Sequence, residues 1–136
     1  MAQSASPNWA VRVVSGGTDA TGIRFVYAVK EELRKSSQFE LVVTNPPDRA
    51  TLVVELITAD PNPEMTKGDS TVVSSVCTLE APGGPYPYKF DHRLLVVGRG
   101  KLDESANRFV AELDRTWEAT VKVTVEHYQK PNASDR

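Results

Sequence analysis

Three runs of alternating apolar residues, 50–58, 70–80 and 89–97, follow one another with only loops between them. In the first run Leu52, Val54 and Leu56 alternate with Val53, Glu55 and Ile57. That period of two sends successive side chains to opposite faces of a strand. The loop after it holds two prolines and a glycine. The next reads Ala81-Pro82-Gly83-Gly84-Pro85-Tyr86-Pro87-Tyr88. Neither can supply the crossover helix that a parallel return requires, so the three runs pair as antiparallel neighbours. Any fold open to this chain must contain that three-stranded unit.

The flanks add two strands and two helices. Trp9, Val11 and Val13 alternate with Ala10 and Arg12, predicting a strand over 9–15. Ser15-Gly16-Gly17-Thr18-Asp19 breaks the pattern and offers N-caps. A helix over 20–36 follows, with Val26, Val29 and Leu33 on one side and Lys30, Glu31, Glu32, Arg34 and Lys35 on the other. Phe39, Leu41 and Val43 predict a strand over 39–44, closed by Asn45-Pro46-Pro47-Asp48. After the sheet, Leu102, Ala106, Phe109, Val110, Leu113, Trp117 and Val121 step by three and four without a break. The helix they predict extends to about Gln129. The alternation of Val121, Val123 and Val125 allows a sixth strand as the alternative.

The order β-α-β-β-β-β-α describes an α+β fold: a two-layer sandwich, one mostly antiparallel five-stranded sheet with two helices packed on one face. Its expected core is Trp9, Val11, Val13, Val26, Val29, Leu33, Phe39, Leu41, Leu52, Val54, Leu56, Leu94, Val96, Phe109, Leu113 and Trp117. Val42, Val53, Ile57, Leu95 and Val97 then fall on the other face. That set is too apolar for a face left in water, and apolar patches of this kind mark contacts. Either the second helix wraps round onto them, a partner covers them, or the chain's own loops and tails do.

Composition narrows the class. The chain has 136 residues, 40% hydrophobic, with a net charge of -2, as in one ordinary globular domain. Residues 9–130 read as a single domain, and 1–8 and 131–136 as disordered ends. Near-neutral charge argues against a nucleic-acid surface. No apolar run reaches the roughly 18–20 residues of a membrane span. The start, Met1-Ala2-Gln3-Ser4-Ala5-Ser6-Pro7, reads either as a loose terminus or as the segment just behind a removed signal peptide. Cys77 is the single cysteine, so no intrachain disulfide exists. Set in an apolar run, it reads as a buried small side chain.

Motifs that could carry chemistry are incomplete. The 15–22 segment joins a strand to a helix and is rich in glycine, yet it lacks the Gly-Lys-Ser/Thr of a phosphate loop and the GxGxxG of a dinucleotide site. Asp60, Glu64 and Asp69 share a loop, but Pro61 and Pro63 stand where a calcium loop needs ligands. Asp91-His92-Arg93 has no nucleophile beside it, and a regular strand would put His92 on the face of Phe90 and Leu94. No catalytic residue, metal ligand or cofactor is therefore expected. Tyr86 and Tyr88, set between prolines, are candidates for a recognition tip, because prolines extend the backbone and tyrosines give rigid contact area. The candidate binding residues are Tyr86, Tyr88, Val42, Val53 and Ile57. The alternative is a small-ligand domain or enzyme using the loops around Thr18, Asp60 and Tyr86.

One pattern resembles a known group. Val29, Leu33, Ser36, Phe39 and Leu41-Val42-Val43, followed by Ala50 and Leu52-Val53-Val54, are similar to the helix–Ser–Phe–strand segment of bacterial envelope proteins. These include the amino-terminal domain of TolB, CsgG and LptE-like lipoproteins. The pattern covers about a third of the chain. Thr51 stands where the group commonly has Asp, and Cys77 is internal rather than an N-terminal lipid attachment site. The resemblance implies a non-enzymatic, exported interaction domain, periplasmic or envelope-associated, with a cytoplasmic location as the alternative. Its partner would be another envelope protein or a second copy of itself.

Overall fold

The three alternating runs form consecutive antiparallel strands, β3 (Thr51–Ala59), β4 (Ser70–Glu80) and β5 (Tyr88–Gly98), in a computed structural model that describes residues 8–82 and 88–121. Ahead of them come β1 (Trp9–Gly16), α1 (Ala20–Lys35) and β2 (Phe39–Leu41), and after them α2 (Leu102–Thr116). The sheet order is β2-β1-β3-β4-β5. Both helices lie on one face, giving the expected two-layer sandwich. The sheet is mixed, because β1 runs parallel to both of its neighbours. A β–α–β crossover sets the first parallel pair. The chain then passes β1 again, so that β3 starts level with Ala10.

Local chemistry explains where α1 begins and ends. The Asp19 carboxylate accepts the Gly22 N–H at 3.0 Å and so caps the helix. It also accepts the Thr58 hydroxyl at 2.7 Å, which fixes the helix start to the end of β3. Gly22 costs helix propensity, yet a Cβ there would collide with the Thr58 side chain. Only glycine lets α1 approach β3 so closely. Gly17 has φ +118 and meets the Thr58 backbone in the same way. At the other end, the Ser36 hydroxyl accepts the N–H groups of Gln38 and Phe39 and turns the chain into β2.

The strand expected over 39–44 stops at Leu41, and Val43 is exposed rather than in line with Phe39. The Val42 N–H still donates to the Val11 carbonyl at 2.8 Å, but the chain then departs.

The core lies between the sheet and the two helices. Phe25, Val26, Val29 and Leu33 of α1 and Ala106, Phe109, Val110 and Leu113 of α2 meet Val11, Leu52, Val54, Leu56 and Val73. Trp117 is buried and stands edge-on to Trp9 at 4.8 Å and to Phe90 at 6.5 Å. Cys77 is buried here too, and its burial pushes the thiol up to about 11, so it stays protonated. The periodicity of the last helix continues as a π turn over Trp117–Val121. The choice between helix and sixth strand beyond it lies outside the described residues.

Two residues of the expected core are not in it. Leu94 and Val96 are 73% and 72% exposed, while Leu95 and Val97 turn inward. The cause is a bulge in β5. Cys77 pairs with Asp91, but Thr78 pairs with Lys89, leaving Phe90 as an extra residue. One inserted residue reverses the facing of every later one. Phe90 and Asp91 therefore both lie on the helix side. Arg93 follows them, binding Asp91 at 3.0 Å and Thr116 at 3.2 Å, and pairing with Glu112. His92 shares its face with Leu94 but not with Phe90.

Candidate interaction surface

The back of the sheet, away from the helices, divides into two halves. At the lower end, beside Ala10 and Thr51, the segment joining β2 to β3 brings Asn45 over it. Arg12 Nε donates to Asn45 Oδ1 at 2.7 Å, and Asn45 Nδ2 donates to Glu80 Oε1 at 2.7 Å. Arg12 is the register neighbour of Val53, and Val53 is only 6% exposed. Val42 is half-buried at the same end. This part of the expected apolar face is thus covered by the chain itself.

The upper half is different. Ile57 pairs with Ser74, Ser74 with Leu94, and Val72 with Val96. These side chains share the back face by strand alternation. Ile57 is 45% exposed, and Val72 is half-buried. With Leu94 and Val96 they form an apolar patch running to the edge of the sheet. Beyond β5 no further strand pairs among the described residues. A row of backbone donors and acceptors therefore runs beside the patch, and such an edge is a template for another strand.

Of the expected tyrosine tip, Tyr88 is not joined to this patch. Tyr88 is 64% exposed at the first residue of β5, by the lower end of the sheet. Tyr86 lies outside the described residues. The sequence reading missed Leu94 and Val96 as surface residues. Their exposure depends on the bulge at Phe90, for which the sequence has no marker such as Gly.

The structure does bring Thr18 and Asp60 together, at the opposite end of the sheet from Tyr88. They line a cleft of about 560 Å³ with Gly17, Asp19, Lys67 and Gly68. Its two carboxylates, Asp19 and Asp60, are already engaged. Burial raises the Asp19 pKa, but hydrogen bonds from Thr58, Thr71 and Gly22 outweigh it and hold the carboxyl below its ordinary value. That carboxylate occupies the α1 N-terminus, where an anion would have to bind. Asp60 accepts the N–H groups of Asn62 and Gly68, each at 2.9 Å, and shapes its own loop. Thr21 donates to the Gly68 carbonyl at 2.6 Å. Among the described residues no group of three His, Cys, Asp or Glu could hold a metal ion, and no helix is long and apolar enough to cross a membrane.

No family model matches the sequence, and no curated protein is significantly similar to it. Solved structures to which the chain is similar include a PelC dodecamer from Paraburkholderia phytofirmans. It is 12% identical, with 83% of this chain and 88% of that one covered and a TM-score of 0.49. Rare lipoprotein B from Shewanella oneidensis is 15% identical over 87% of this chain and 99% of that one, with a TM-score of 0.39. The hypothetical protein CT253 from Chlamydia trachomatis is 10% identical, with 66% and 72% covered and a TM-score of 0.37. These likenesses are distant.

Proposed function

We propose that this chain is a non-enzymatic interaction domain of the bacterial cell envelope, and that it binds a partner's extended strand along the outer edge of β5. The observation that carries the reading is the exposure of Leu94 and Val96 on a strand that ends the sheet among the described residues. An incoming strand would satisfy the open backbone groups, and its own apolar side chains would cover the patch. The cell-envelope part rests on the Ser36–Phe39 strand pattern and the residues around it.

The test is photo-crosslinking in the native cell from positions 94 and 96, with position 34 on α1 as control. Support requires one and the same identified protein species from both β5 positions and none from position 34. If neither β5 position yields a product, the reading fails.

A further inference from the structure

We infer that a second copy of this chain occupies the β5 edge, the two strands pairing antiparallel about a two-fold axis at Leu95. The inference rests on the reading above and names the partner. A two-fold contact uses the same patch on both copies, so the patch must complement itself. Two separate parts of this surface do so, and they call for the same axis.

The first part is the back of the sheet. With the axis at Leu95, Leu94 of each copy stands opposite Val96 of the other. The two most exposed aliphatic side chains of β5 then cover one another, and Val72 beside Val96 extends the apolar surface inward on each copy. Residues 92–98 carry no proline and no bulge, so nothing in the backbone blocks the pairing.

The second part is the helix side. Helix α2 runs back over β5 in the opposite direction. Arg93 reaches Glu112 and Thr116, while Leu95, Val96 and Val97 line a groove at this edge with Ser105, Arg108, Phe109 and Glu112. Leu95 therefore lies level with the middle of α2, near residues 109 and 110. The same axis passes there and sets the two α2 helices side by side and antiparallel. Arg108 of each copy then faces Glu112 of the other. Arg108 is exposed and bonds only weakly to Glu104, at 3.4 Å. Glu112 gives Oε2 to Arg93 and has Oε1 left to accept. An axis at Leu94 would instead put Val96 against His92, and it would move the helices out of this charge register.

The purified full chain is tested by light scattering at about 100 µM, a concentration at which a micromolar pair is assembled. A mass of two chains is expected. Arg108→Glu should weaken association about tenfold while leaving the circular dichroism unchanged, since like charges would then face each other. Leu94→Cys and Val96→Cys chains, mixed and oxidised, should cross-link to each other, because directly opposed residues have the separation a disulfide needs. Neither variant should cross-link alone. A monomer with no cross-link overturns the inference. So does cross-linking of Leu94→Cys to itself, which would place the axis elsewhere. A monomer whose positions 94 and 96 still capture one other protein in cells would remove the second copy and leave the strand-binding reading standing.

Discussion

Among the described residues strands β2 and β5 both end the sheet, yet β2 lends it three residues and β5 eleven. The β2 edge is closed by its own chain. Pro46 and Pro47 follow within a few residues, and the Arg49 guanidinium returns to pair with Glu40. Short edges, prolines and charges are the usual means by which a sheet avoids unwanted pairing. Over residues 92–98 the β5 edge has none of them on its back face, where Leu94 and Val96 face water. Its charges are drawn inward instead, Arg93 to Asp91 and Glu112 under α2. One edge is closed by its own chain, and the other is left open among the described residues.

The sharpest way to break this contrast is inside β5 itself. Val97→Asp puts a carboxylate among Phe109, Val73 and their neighbours and should cost about 4 kcal/mol or more, enough to prevent folding. Val96→Asp, one residue away, should leave the thermal midpoint nearly unchanged and abolish association. If the two variants behave alike, the bulge at Phe90 is not where it is described.

At the closed edge, Phe39→Ala removes a buried ring and should cost about 3–5 kcal/mol in denaturant unfolding. β2 owes its place to that side chain more than to its few ladder bonds. Association through β5 should survive wherever this variant remains folded.

A change that touches neither edge sharpens the comparison from outside. Asp19→Ala should lose about 1–2 kcal/mol, the value of a helix cap, with no effect on association. The carboxyl of Asp19 is held below its ordinary 3.8 in the folded chain. Its contribution is therefore fully present above that pH and is lost as the pH falls below 3.8 through the native value. Acid unfolding of the wild type and of Asp19→Asn should diverge above 3.8 and converge below it.

The smallest effect is expected at the open edge. Leu94→Thr should change monomer stability by no more than about 0.5 kcal/mol, since an exposed side chain leaves no cavity. Its dimer should nevertheless weaken measurably in sedimentation. A large loss of stability instead would mean that Leu94 is covered by its own chain.

Much of this was legible in the residues. The elements, their order and the helix N-cap segment follow from spacing that chemistry enforces locally. Val26, Val29 and Leu33 can share a side only on a helix, and Leu52, Val54 and Leu56 only on a strand. The candidate surface was legible in kind but not in residue. Alternation predicted an apolar back face, and one exists at Ile57. Its outer members were assigned the wrong way round, because a strand read as regular has no place for Phe90 as an extra residue. Val53 is buried beside Arg12, which Asn45 and Glu80 hold in place by a bridge that no local pattern encodes.

The sequence by itself determined which segments become strands and helices, that β3, β4 and β5 pair antiparallel, and that one helix pair shields one side of the sheet. Periodicity and loop length act between near neighbours along the chain, and they suffice for that. Only the tertiary structure decided that β1 lies between β2 and β3, that Asn45 bridges Arg12 and Glu80, and that β5 turns Leu94 outward. Those outcomes depend on which segments meet across the sheet, and a single inserted residue in one pairing changes the environment of every side chain beyond it.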